Sequence, residues 1–114
     1  KGDFKGAIAD LTSLSAKVGS GASAAGVRGL LGDATAQNEK PADAAVEYEK
    51  AAALASGPNE KAYWRAKAGR AYLLAGKIPE GRKIFEELAA QSDNDAAATE
   101  ARVRLGEITA GVKP

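Results

Sequence analysis

Cysteine, histidine and methionine are absent from this chain of 114 residues. Without cysteine there is no disulfide and no thiolate metal site, and the composition leaves the redox compartment open. Without cysteine and histidine, serine–histidine and cysteine–histidine nucleophilic machinery cannot be assembled, and most zinc sites go with it. Aromatic residues are few: one Trp, three Tyr and two Phe. Val and Ile are also sparse, so strand formers are in short supply. No apolar run approaches the roughly 20 residues that span a bilayer. Neither sign of charge prevails. Lys and Arg number 16 against 15 Asp and Glu, which removes the electrostatic case for nucleic acid or an anionic membrane surface. Lacking Met and opening at Lys1, the chain is expected to be a piece of a longer one, any signal or anchor lying upstream.

What remains is dominated by Ala, Leu, Glu, Lys and Arg, all good helix formers. One all-α domain is expected, with helices over 4–17, 23–38, 41–56, 60–75, 79–91 and 95–110. Asp3, Ser23, Asn59 and Asp95 stand where N-caps would be. Pro41 and Pro79 suit first turns, where a missing N–H costs nothing.

The helices are not independent. Gly32, Gly69 and Gly106 recur every 37 residues, each with an arginine four residues earlier (Arg28, Arg65, Arg102). The same interval links Ala7, Ala44 and Gly81, then Leu11, Tyr48 and Phe85, then Leu14, Ala51 and Leu88. A fixed register held over three copies is a repeat. Glycine inside a helix costs about 1 kcal/mol relative to alanine. Its return in step predicts that the two helices of each unit cross closely there, with Ala44 and Gly81 as the small partners.

The pattern "RGLLGDAT…AAVEY", "RAKAGRAY…GRKIF", "RVRLGEIT" resembles the tetratricopeptide repeat (TPR), whose W-x2-L-G-x2-Y…A-x3-F signature it follows with Arg in place of Trp and a period of 37 rather than about 34. Three extra residues are about one helical turn, so one helix per unit is expected to be longer. The resemblance implies a right-handed superhelix of antiparallel helix pairs. It divides the chain into a half-repeat 1–22, repeats 23–58 and 59–94, and a terminal half-repeat 95–114. The long Ala-rich units are also similar to the periplasmic TPR domains of bacterial membrane-anchored proteins, which include the ancillary subunit of the protein-export translocon. On that resemblance the expected location is the periplasmic face of a bacterial membrane.

Chemistry has few places to reside. The carboxylate pairs Glu47/Glu49, Glu86/Glu87 and Asp93/Asp95 read as solvated faces rather than opposed acid–base pairs. "SDND" lacks the glycine and further ligands of a calcium loop, and "GSGASAAG" lacks the P-loop lysine. A basic stretch (Lys61, Arg65, Lys67, Arg70, Lys77, Arg82, Lys83) encloses Tyr63, Trp64 and Tyr72. It reads as snorkelling cations over core aromatics rather than a nucleic-acid surface. No catalytic residue, cofactor or metal is expected. In the TPR family the first helices line a concave groove. The matching positions are Gly26, Gly29, Asp33, Ala36 and Gln37, then Tyr63, Ala66, Arg70, Leu73 and Leu74, then Glu100, Val103, Glu107 and Ala110. Asp33, Arg70 and Glu107 are equivalent and predict a row of alternating charge, or an ion ladder worth at most about 1 kcal/mol per exposed pair. The expected role is a non-catalytic module holding a protein or peptide partner in that groove, an accessory to protein export or envelope assembly. This piece is expected to touch neither nucleic acid nor membrane. The alternative is a structural segment that self-associates, as a homodimer, through its uncovered first helix (Phe4, Ile8, Leu11).

Overall fold

The computed structural model describes residues 3–21, 23–91 and 95–112. Residues 92–94 of "SDND", and with them the calcium-loop reading, fall outside that set, while Asp95, expected as a cap, is the first residue of α6. Among the described residues there are six helices and no strand: α1 Phe4–Val18, α2 Ala24–Gln37, α3 Pro41–Leu54, α4 Pro58–Leu74, α5 Ile78–Ala90 and α6 Asp95–Ala110. The chain is all-α, as its composition requires. Asp3 caps α1, its Oδ1 accepting from the Gly6 N–H at 2.9 Å. Two other expected caps do not form. Ser23 is already in the helical region (φ −90°, ψ −3°) and its hydroxyl caps nothing. Asn59 lies inside α4, which opens at Pro58 after an extended Gly57, because the fixed φ of proline suits the first helical position. The extra turn appears in one unit only: α4 has 17 residues and α5 has 13, whereas α2 and α3 have 14 each.

The link between paired helices is the same device twice, 37 residues apart. Lys40 N–H donates to the Thr35 carbonyl and Glu39 N–H to Ala36; Lys77 N–H donates to Tyr72 and Gly76 N–H to Leu73. These are the two bonds of a Schellman motif, which demands a left-handed residue after the cap. Gly76 supplies it at φ 80°, but Glu39 adopts it at φ 62°. That conformation costs an L-residue about 1–2 kcal/mol, against the roughly 0.5–1 kcal/mol of extra chain entropy that glycine brings to the unfolded state. Glu39→Gly is therefore expected to stabilise the fold by about 0.5–1 kcal/mol in urea denaturation; a loss of stability would show that the turn is not strained there.

Consecutive helices pack on one another, and α4 also meets α6. The body measures 40 × 30 × 20 Å. Its core is mostly alanine, with Ala44, Ala45, Ala51, Ala68 and Ala101 fully buried around Tyr48, Trp64, Phe85 and Leu88. The glycines act as notches. A Cβ at Gly32 would lie 2.6 Å from the Tyr48 ring, and one at Gly69 would lie 2.8 Å from the Phe85 ring and 3.3 Å from Ile84. A Cβ at Gly81 would lie 3.1 Å from the Gly69 carbonyl oxygen and 2.6 Å from Leu73. The expected close crossing at Gly69 and Gly81 is present, and the notch receives an aromatic ring as well as backbone. Gly106 departs from the expectation. It is exposed, with no atom within 4 Å of its added Cβ, because among the described residues no helix follows α6 to cover it.

Candidate functional site

Side chains of α4 meet α2 at Trp64–Gly29 and Lys67–Asp33, and α4 also packs against α6; the expected groove residues on these helices have different fates. On α4 the spacing of Tyr63, Ala66, Arg70 and Leu74 places all four along one stripe. Between this stripe and the first turns of α6 lies an open cleft of about 350 Å³, lined by Asn59, Tyr63, Ala66, Arg70, Ala96, Ala97 and Glu100. Alanines form its floor. Tyr63 stands at one side, 54% exposed. Arg70 Nη1 meets Glu100 Oε2 at 2.5 Å and joins the two helices. Glu100 also pairs with Arg104 Nε at 3.5 Å, and Arg104 Nη1 with Glu107 Oε1 at 3.2 Å. Leu74 and Val103 are exposed.

The α2–α4 half is closed. Trp64 drives its ring against Gly29, where an added methyl group would overlap it. Gly29 is therefore a packing notch, in contrast to the groove position expected of it. Trp64 stacks on Tyr48 at 6.0 Å and meets Tyr63 edge-on at 4.8 Å. The Lys67 ammonium sits 5.2–5.5 Å from all three rings and 2.8 Å from Asp33 Oδ1. That carboxylate also accepts a 2.5 Å hydrogen bond from the Tyr48 hydroxyl. Asp33 is thus spent inside a knot of α2, α3 and α4 rather than offered to a partner. Leu73 is 5% exposed and packs over Gly81; with Arg70, Leu74 and Arg104 it forms the base of a small depression of about 190 Å³. Gln37 is exposed in the last turn of α2, away from the cleft. The charge row exists in altered form: Asp33, Arg70 and Glu107 pair with Lys67, Glu100 and Arg104, not with one another.

The electrostatics hold protons rather than exchange them. Burial, then the bond to Asp33 and that carboxylate's charge, keeps the Tyr48 hydroxyl well above the ordinary tyrosine range. Burial, then the 2.8 Å bond to Glu49, pushes Tyr72 up to about 12. Both stay neutral donors. The basic stretch is dispersed into pairs, with Arg65 on Glu87, Lys67 on Asp33, Arg70 on Glu100, and Lys61 Nζ donating to the Ala52 carbonyl. Of the carboxylate pairs, Glu47 is held by Arg28 at 3.0 Å, Glu49 by Tyr72 and Glu87 by Arg65, while Asp93 lies outside the described residues. Among the described residues no group of three or more His, Cys, Asp or Glu could hold a metal, and no helix is long and apolar enough to cross a membrane. Trp64 is a core aromatic beneath Lys67, as expected; what sequence reasoning missed is its pairing with Gly29, which was assigned to the groove. Three glycines stand in α2 at positions 26, 29 and 32, and nothing in their spacing singles out Gly29 as the partner of a ring.

No protein-family model matches the chain, and no curated protein or solved structure is significantly similar to it.

Proposed function

We propose that this chain is a TPR-like, right-handed superhelical interaction module that holds a segment of a partner protein in the α4–α6 cleft and performs no catalysis itself. The observation that carries the reading is the cleft: an alanine floor open to solvent, flanked by an exposed tyrosine and a half-exposed arginine. Tyr and Arg are the residue types that most often dominate binding energy at interfaces. Small residues admit a helix or an extended strand of partner backbone. The segment that fits carries an apolar side chain for the alanine floor and a polar group for the Arg70–Glu100 pair. By its resemblance to periplasmic TPR domains, the partner belongs to protein export or envelope assembly.

Capture of partner from a membrane fraction tests this. Arg70→Glu and Tyr63→Ala are each expected to reduce capture about tenfold, equivalent to about 1.4 kcal/mol. Arg82→Glu, on the exposed side of α5, is expected to leave it unchanged. Equal capture by all four proteins would remove the cleft from the reading. Arg70 and Tyr63 are exposed enough that far-UV circular dichroism should stay at the wild-type value.

A further inference from the structure

The 37-residue register pairs two grooves, each built by three successive helices: one by α1, α2 and α3, the other by α3, α4 and α5. Thr12, Thr35, Asp43, Val46 and Glu47 line the first, and each stands 37 residues before a lining residue of the second: Glu49, Tyr72, Glu80, Lys83 and Ile84. No residue of α2, the helix before the second trio, lines that groove. A groove of this kind is thus made by its own three helices.

The two differ in what fills them. In the second, the half-buried Tyr72 packs against the core, and its hydroxyl donates to Glu49 at 2.8 Å. In the first, Thr35 stands in that place and turns its hydroxyl back onto the Leu31 carbonyl at 2.7 Å. Lys83 likewise gives way to Val46, which is 42% exposed. The first groove holds about 500 Å³ against about 310 Å³ in the second, with Leu31, Ile8 and Val46 as its apolar lining. One repeat carries an aromatic ring where the other leaves room for one. Lys5, Lys40 and Asp43 also line the first groove, all exposed and none in an ion pair among the described residues, while Glu47 is held by Arg28. Two ammonium groups against one carboxylate leave the groove cationic.

We propose that the α1–α2–α3 groove is the docking site for a tyrosine side chain in an acidic segment of a second protein, its ring lying over Thr35 where Tyr72 lies in the next repeat. The Thr12 hydroxyl, which replaces the Glu49 carboxylate, donates to the Ile8 carbonyl at 2.7 Å and keeps oxygen lone pairs that can accept from the phenol. Tyrosine suits a site that is apolar at its base and wet at its rim. Acidic neighbours of that tyrosine meet Lys5 and Lys40, and charge complementarity of this kind selects the partner. A free small aromatic would leave much of its surface in water, whereas a small-molecule site buries most of its ligand; the flanking residues of a chain cover Val46 as well. The groove shares no lining residue with the α4–α6 cleft, so the proposal stands or falls separately from capture there.

Titration of the isotope-labelled chain with acetyl-Glu-Tyr-Glu-amide, followed by NMR, tests it. Saturable shifts are expected at the amides of Thr12, Thr35 and Val46, and acetyl-Glu-Ala-Glu-amide is expected to bind about tenfold more weakly. Thr35→Tyr supplies the ring of the next repeat from within and is expected to weaken binding of the tyrosine peptide about tenfold. Val46→Glu, at an exposed position, charges one wall and repels the acidic flanks, and should weaken it to a similar degree. It keeps the test decisive if Thr35→Tyr does not fold. Equal binding of the two peptides overturns the inference, as does unchanged affinity in Val46→Glu. So do shifts confined to Tyr63, Arg70 and Glu100, which would seat the peptide in the α4–α6 cleft, and a titration without saturable shifts. Acetyltyrosine amide binding as tightly as the peptide would make this a small-molecule site and overturn it too.

Discussion

Leucine at position 69 is expected to lower folding stability by about 2–4 kcal/mol, the upper part of the range for overpacked cores. Gly69 lies beneath the Phe85 ring, itself fully buried. A Cβ alone would stand 2.8 Å from that ring, closer than van der Waals contact. Phe85 cannot withdraw, because its other side is the centre of the core, so the γ and δ carbons of leucine must separate α4 from α5. The internal control is Gly106, which holds the same place in the next repeat with nothing near it. There alanine meets no atom and gains about 0.5–1 kcal/mol of helix propensity. Two substitutions at equivalent positions should therefore move stability in opposite directions. Urea denaturation reads both. If Gly69→Leu unfolds at the wild-type midpoint, the notch is not the reason for the glycine.

Removing the single tryptophan is the other large effect. Trp64→Ala is expected to cost about 3–5 kcal/mol, emptying the space against Gly29 and taking away the ring on which Tyr48 stacks and over which Lys67 sits. Trp64→Phe should behave differently. The Trp64 Nε1 is buried without a hydrogen-bond partner, and an unsatisfied buried donor costs about 1–3 kcal/mol. Phenylalanine loses some contact area but sheds that penalty, so its net change should lie within about 1 kcal/mol of zero. Should phenylalanine prove as damaging as alanine, Nε1 must have a partner in solution. Because Trp64 is the only tryptophan, intrinsic fluorescence reports unfolding of the wild-type protein directly from this contact.

These two side chains mark where sequence reading reached and where it stopped. Gly69 and Phe85 belong to a pattern that recurs, and recurrence isolates them from ordinary helical amphipathicity. Helix positions were legible for the same reason: proline, glycine and short polar runs punctuate the chain at each break. Capping was less so. Asp3 was read correctly, but Ser23 and Asn59 were not, because a cap depends on the backbone angles of one residue, and Pro58 had already set where α4 begins. Trp64 and Gly29 lie outside the repeat, a large residue and a missing one that answer each other across 35 residues, and no periodicity pairs them. The groove suffered from that omission. Asp33 looks exposed on a helical wheel, but it is drawn inward by the Tyr48 hydroxyl and Lys67, partners carried by two other helices.

The alternation of helix formers and breakers, with small residues returning every 37 positions, was enough by itself to determine an all-α chain and the sites of two close crossings. Those properties depend on local propensity and on spacing along one chain, both written in the order of residues. Which part of the expected groove stays open was decided only in three dimensions. The Trp64 ring closes the α2–α4 side by filling the Gly29 notch, whereas the α4–α6 side has only alanines to offer and remains a cleft. The reason is volume: a helix position says which way a side chain points, but only the neighbouring helix says whether the space there is already taken.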